Sequence, residues 1–141
     1  MSDGHGSAPE PQGEEGLPAG DVYEWYQRGV SLLENDDPAP AAQLLEHAAA
    51  AEPSSRSVRE ALARAQFNCG QYSAAADNFR HIVEENPSED YAQFGLGLSL
   101  VRVGRLQRAV EHLALAAAMR PDIGHYTRAL RGARVRLSPR R

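Results

Sequence analysis

The chain has 141 residues and a mass of 15.3 kDa, with 42% hydrophobic residues, 24% charged residues and a formal net charge of −4, as expected for one soluble domain with a tail. Its single cysteine, Cys69, excludes an internal disulfide framework and a zinc site built from cysteines. No apolar run approaches a membrane span, and no basic start followed by an apolar stretch indicates a signal peptide. We therefore expect a cytoplasmic protein.

Residues 1–20 contain five glycines, three prolines and four acidic residues, with few apolar side chains. Such a segment cannot bury enough apolar surface to offset its chain entropy, so it is predicted to be a disordered acidic leader. A solubilising role is favoured for it over a role as an acidic binding tail, because unstructured termini are common.

A regular spacing begins after the leader. Pro53, Pro87 and Pro121 are each 34 residues apart, and a fixed period in this range indicates a repeat architecture. Small and large apolar residues recur in phase with the prolines: Ala41, Ala75 and Ala109, then Leu45, Phe79 and Leu113, then Ala48, Ile82 and Ala116. Each period holds two helix-length segments, predicted at 22–35, 39–51, 55–69, 73–85, 89–103 and 107–119.

Small residues also recur in the first segment of each period, at Gly29, Ala63 and Gly97. They predict that the two helices of each period approach closely, so that added bulk there costs about 1–3 kcal/mol. Ser55 and Ser88 follow the prolines and are predicted to cap the next helices.

A seventh helix is predicted at about 122–137, followed by a basic tail at 138–141. It carries apolar residues at helical spacing on one side and arginines on the other, which suits an end piece for a stack of repeats. The charge of the chain is polarised, from −10 over residues 1–52 to +6 over residues 120–141. All 15 basic residues are arginines, which indicates a GC-rich, bacterial genome.

These residues resemble the tetratricopeptide repeat, a 34-residue helix–turn–helix unit. The resemblance implies an all-α solenoid of three repeats, at about 22–55, 56–89 and 90–123, plus the C-terminal capping helix. Some positions depart from the family pattern: Arg28 replaces a leucine, Asp36 and Pro38 replace the glycine and aromatic of the turn, and Gln66 stands where an aromatic is common.

In this family the first helix of each repeat lines a concave groove that binds peptides. The resemblance therefore implies a partner-binding groove lined by Tyr23, Tyr26, Val30 and Leu33 from the first repeat, Glu60, Arg64, Phe67 and Asn68 from the second, Tyr91, Phe94, Leu98, Val101 and Arg102 from the third, and His125, Arg128 and Arg136 from the capping helix. Any single aromatic here is as suited to packing as to binding. Four aromatics with nearby arginines nevertheless favour a peptide with hydrophobic anchors and an acidic stretch.

Some family members clamp the acidic C-terminal tails of heat-shock chaperones with lysine, asparagine and arginine side chains. The matching positions here are Tyr26, Val30, Ala61, Tyr91 and Gly95. None of them matches, so no such carboxylate clamp is predicted.

Three alternatives to peptide binding were weighed. Catalysis is disfavoured, and no cofactor or metal is expected, because the five histidines show no metal-binding spacing with a carboxylate and no glycine-rich phosphate loop occurs. Cys69 is interpreted as a buried structural thiol. Nucleic-acid binding through the C-terminal arginines is disfavoured by the acidic pI of 5.7. Self-association is the main alternative, since the acidic first repeat and basic last helix are complementary ends. The prediction is thus a non-catalytic adaptor or scaffold.

Overall fold

The structure, a computed structural model, describes residues 18–138. These residues form seven α-helices: α1 Val22–Glu34, α2 Pro38–Ala51, α3 Arg56–Asn68, α4 Tyr72–Glu85, α5 Asp90–Arg102, α6 Leu106–Met119 and α7 Gly124–Leu137. Each boundary lies within two residues of its predicted position. Residues 1–17 of the predicted leader and residues 139–141 of the predicted tail lie outside the described part of the chain.

Each helix packs against the next one along the chain, and the first helices of successive repeats also meet, α1 with α3, α3 with α5 and α5 with α7. The buried side chains form four clusters that follow one another along the stack. Such contacts between neighbours alone are typical of a helical solenoid. The all-α repeat fold is therefore confirmed.

The turn inside each hairpin has one residue in the left-handed region of φ. These residues are Asp36 at 61°, Gly70 at 90° and Gly104 at 87°, spaced 34 residues apart. Glycine adopts this conformation without steric cost, and aspartate is among the few other residues that tolerate it. The departure of Asp36 from the family glycine thus leaves the turn geometry unchanged.

The small residues of the first helices hold the hairpins together closely, as predicted. A Cβ added at Gly29 would lie 2.6 Å from Cγ of Leu45, and one added at Gly97 would lie 2.6 Å from Cγ of Leu113. The third member of the set, Ala63, is fully buried. Larger side chains at these positions would separate the helices.

The helix starts follow the sequence only in part. The Ser55 hydroxyl accepts from the Val58 N–H at 3.2 Å, so this predicted cap is confirmed. The prediction for Ser88 is wrong, since Glu89 occupies the cap position of α5. The Ser88 hydroxyl instead donates to Oδ1 of Asn86 at 2.8 Å, because the shorter turn after Pro87 brings the amide within its reach.

A side-chain bond also fixes the chain before each repeat. The residue at the fourth position of each first helix donates an N–H to the backbone carbonyl six residues earlier. The pairs are Trp25 with Ala19 at 3.0 Å, Arg59 with Pro53 at 2.9 Å and Gln93 with Pro87 at 2.9 Å. Ordered contacts therefore begin at Ala19, two residues before the predicted end of the leader.

The last helix starts two residues later than predicted. Arg120 donates two bonds to the Asp122 carboxylate, at 3.0 and 2.8 Å, and the Ile123 N–H donates to the Arg120 carbonyl at 3.1 Å. This turn keeps Asp122 out of α7, so the helix begins at Gly124.

Candidate functional site

A small pocket lies between α3 and α5, the first helices of the second and third repeats. Its volume is about 50 Å³, and eight residues line it: Arg64, Phe67, Asn68, Phe79, Tyr91, Phe94, Gly95 and Leu98. Six of these eight are residues predicted to line a groove. The other two, Phe79 and Gly95, were assigned by the sequence to the repeat core and to a clamp position.

Gly95 shapes the wall of this pocket. A Cβ at this position would lie 2.5–2.7 Å from ring atoms of Phe79, so the glycine lets the phenylalanine of α4 approach the backbone of α5. The Phe79 ring in turn meets Tyr91 edge-on, with centroids 6.1 Å apart. The second helix of a repeat thereby contributes to a pocket that first helices otherwise form.

Arg102 is held beside the pocket by aromatic side chains. Its guanidinium carbon lies 4.8 Å from the ring centroid of Tyr72 and 5.6 Å from that of Phe67, and its Nη1 donates to the Tyr72 hydroxyl. Tyr72 uses one of the five N–H donors of the guanidinium. The exposed Arg102 side chain is thus oriented before any ligand arrives, with donors left over.

The polar edge of the pocket carries a partly balanced charge. Burial raises the pKa of Tyr91, and the neighbouring Arg64 guanidinium acts in the opposite direction. Burial also raises the pKa of Glu60, one helical turn before Arg64, and the same guanidinium again opposes it. Arg64 therefore sits between a phenol and a carboxyl group, and Asn68 lies exposed on the next turn.

Phe94 has a second contact that the sequence analysis missed. Its ring stacks on Tyr126 of α7, with centroids 4.5 Å apart and planes 26° apart, and meets His125 edge-on at 5.2 Å. Phe94 therefore joins α5 to α7 as well as lining the pocket. The apolar spacing of α7 was the signal for a packed helix, but it did not identify the partner ring.

The remaining predicted groove residues lie outside the pocket. Tyr26 and Val30 pack on the core between the first two repeats, and Leu33, expected in the groove, is buried there with 8% exposure. Its side chain points into the α1–α3 contact. Tyr23 is 69% exposed, and Arg128 is exposed on α7.

Val101 packs partly buried against the core, and Arg136 is exposed on α7. Cys69, predicted to be buried, is half-buried. Its Sγ lies 3.6 Å from the Gln66 carbonyl. Neither α1 nor α7 contributes to the pocket.

Two further features bear on chemistry. Within residues 18–138, no group of three or more histidine, cysteine, aspartate or glutamate side chains is placed to hold a metal ion. In the same part of the chain, no helix combines the length and the apolar surface needed to cross a bilayer.

The fold and pocket define a helical-repeat protein with a concave face. The tetratricopeptide repeat family model matches residues 32–94, and the structural matches agree with it. The chain is a tetratricopeptide repeat protein. No curated protein sequence matches it significantly.

Several solved structures share the fold. MamA residues 41–end from Desulfovibrio magneticus RS-1 is 22% identical with a TM-score of 0.78, covering 82% of this chain and 66% of that one. MamA from AMB-1 is 24% identical with a TM-score of 0.74, covering 88% and 69%. The chain thus spans about two thirds of these MamA structures. The first repeat domain of Spaghetti (RPAP3), bound to the HSP90 peptide SRMEEVD, is 16% identical with a TM-score of 0.77, covering 87% and 98%.

Proposed function

We propose that the protein is a non-catalytic interaction module whose α3–α5 pocket binds a peptide segment of a partner protein. The observation that carries this proposal is the pocket itself. Aromatic and aliphatic side chains form its walls, and Arg64 and Asn68 form its polar edge. Aromatic walls with a few polar groups are typical of sites that anchor a partner side chain.

The size and charge of the pocket define the chemistry of the peptide. A volume of about 50 Å³ suits one apolar side chain. Arg102 lies over Phe67, which is itself a wall of the pocket, so a carboxylate near the anchor residue would meet an oriented guanidinium. Arginine binds carboxylates through paired N–H donors. The proposed ligand therefore has an apolar anchor close to an acidic residue.

The bound peptide in the Spaghetti (RPAP3) structure supports peptide binding as a use of this fold. The mode proposed here differs from a carboxylate clamp. Ala61 and Gly95 are buried and offer no side-chain donor, and Tyr26 and Val30 pack against the core. We propose that chaperone-tail peptides are not ligands of this chain.

A capture experiment tests the proposal. The full chain would be used as bait in a lysate of the source cells, beside the double variant Arg64→Glu/Arg102→Glu and the charge-matched control Arg131→Glu/Arg134→Glu on α7. We expect a partner that the wild type and the control retain and that the pocket variant loses. Equal capture by all three folded baits would contradict binding at the pocket.

A second candidate function, self-assembly, is favoured by the two ends of the stack. Val135 of α7 is 70% exposed and Leu137 is 42% exposed, beside a cavity of about 280 Å³ that Arg131 and Arg134 help to line. At the other end α1 exposes polar residues where the later first helices bury small or apolar ones: Glu24, Gln27 and Ser31 replace Val58, Ala61 and Ala65 of α3.

A basic, partly apolar end and a polar, acidic end could join copies head to tail. Light scattering on the full chain at rising concentration tests this candidate. Self-assembly requires a mass of two or more copies that Arg131→Glu/Arg134→Glu reduces to one. A single-copy mass throughout would reject it.

A further inference from the structure

A second cavity, distinct from the pocket, lies between α4 and the start of α6. Its volume is about 230 Å³, and its lining is mostly polar and charged: Ser73, Ala76, Asp77, Arg80, Leu100, Val103, Arg105 and Arg108. We call it the arginine notch. Three guanidinium groups and one carboxylate share its walls, so its charge is strongly positive in a chain of net charge −4.

The acidic residue of the notch compensates only one of the three arginines. Asp77 accepts from Nη1 of Arg80 at 3.0 Å. Among residues 18–138, no carboxylate lies within 4.0 Å of Arg105 or Arg108. Two positive charges therefore face the notch without a counter-charge.

The start of α6 adds to this positive field. Arg105 is its N-cap residue, no side chain caps the helix, and the first turn contains no acidic residue. The N-terminus of a helix carries partial positive charge and free N–H groups, so arginines there are unfavourable. The field also reaches His112, whose pKa is lowered mainly by burial and further by Arg108 and Arg80. An anion in the notch would relieve all of these repulsions together.

Repetition does not explain the arginines. The positions 34 residues before Arg80, Arg105 and Arg108 are Glu46, Gln71 and Ala74. The equivalent notch between α2 and α4 therefore has no arginine at any of the three places. The cluster belongs to this one notch and is not part of the repeat pattern.

We propose that the arginine notch binds a phosphomonoester group. A phosphate dianion matches the two uncompensated charges, and its oxygens can accept from several guanidinium forks and from the Ser73 hydroxyl. The two sources of such a group are a free phosphorylated metabolite and a phosphorylated side chain of a partner protein. The notch lies outside the α3–α5 pocket, so this proposal does not depend on peptide binding there.

The test is a titration of the isotope-labelled full chain, followed by backbone amide shifts. The probes are inorganic phosphate, a phosphoserine peptide and the same peptide with serine. We expect saturable shifts at residues 105–109 and near Ser73 with phosphate, and at least tenfold weaker binding in Arg105→Gln/Arg108→Gln. The matched control Arg64→Gln/Arg102→Gln should bind as the wild type does. Tighter binding of the phosphoserine peptide than of inorganic phosphate would identify a protein source, and equal binding a free one.

Thermal unfolding separates this role from a structural one. In phosphate-free buffer the double variant should unfold at the same or a higher temperature than the wild type, because it loses like-charge repulsion. Added phosphate should raise the midpoint of the wild type alone. Shifts that do not saturate, or that persist unchanged in the double variant, would overturn the proposal.

Discussion

Tyr126 donates its hydroxyl proton to Oδ2 of Asp90 at 2.7 Å, linking α7 to the first turn of α5. Burial and this bond to a carboxylate both raise the pKa of the tyrosine, burial more strongly. The same ring stacks on Phe94, a wall of the pocket. The final helix thus supports the pocket that it does not itself line.

Removing that hydroxyl should weaken the stack. We expect Tyr126→Phe to lower the free energy of unfolding by about 1–2 kcal/mol, since a buried bond to a charged acceptor is lost while the ring stays. Urea denaturation measures the change. Tyr23→Phe is the control, because Tyr23 is 69% exposed and should change stability by less than about 0.5 kcal/mol. Equal effects of the two substitutions would contradict a stabilising bond.

The hairpin turns should reject a side chain. Gly70→Ala places a Cβ at a φ of 90°, and we expect a loss of about 1–2 kcal/mol in the free energy of unfolding. Gly132→Ala is the matched control, since it lies in α7 with nothing within 4 Å of the added Cβ. That substitution should stabilise by about 0.5–1 kcal/mol. Chemical denaturation of both variants would show opposite signs, and equal signs would refute the turn assignment.

Stability should depend on pH through His112. Burial, with Arg108 and Arg80 nearby, lowers its pKa in the folded chain below the ordinary value of 6.5. Its Nδ1 lies 2.8 Å from Oε1 of Gln93, whose amide donates to Pro87, so the neutral ring donates this bond.

As the pH falls below 6.5, the unfolded chain binds the proton first, and the free energy of unfolding decreases until the folded state is protonated too. Denaturation at pH 7.5 and 5.5 should therefore show a larger loss for the wild type than for His112→Gln. Groups other than His112 titrate equally in both proteins. Equal losses would show that His112 is not held neutral by the fold.

The repeat period made the helices predictable, because one spacing fixes prolines, small contacts and turns together. Contacts between repeats were not predictable in this way. Phe94 was expected to be an exposed binding residue, yet its ring is half-buried against Tyr126 of α7. Leu33 was placed in the groove but is buried, since position on a helix face does not show how far the next helix covers it.

The candidate site shows the same division. Helical geometry placed Arg64, Phe67 and Leu98 on one face, and the structure brings them into one pocket. Phe79 enters from a second helix, which a projection of first helices cannot show. Tyr72 holds Arg102 from 30 residues away, a pairing that only the packed turn creates.

Selection from a library of displayed random peptides tests the central claim, peptide binding at the α3–α5 pocket, most directly. The targets are the wild-type chain, Arg64→Glu/Arg102→Glu and the charge-matched Arg131→Glu/Arg134→Glu, each checked for folding by its thermal midpoint. The account predicts that the wild type and the control enrich peptides with an apolar residue close to an acidic one, and that the pocket variant does not. No enrichment on the wild type, or the same peptides on all three targets, would contradict it.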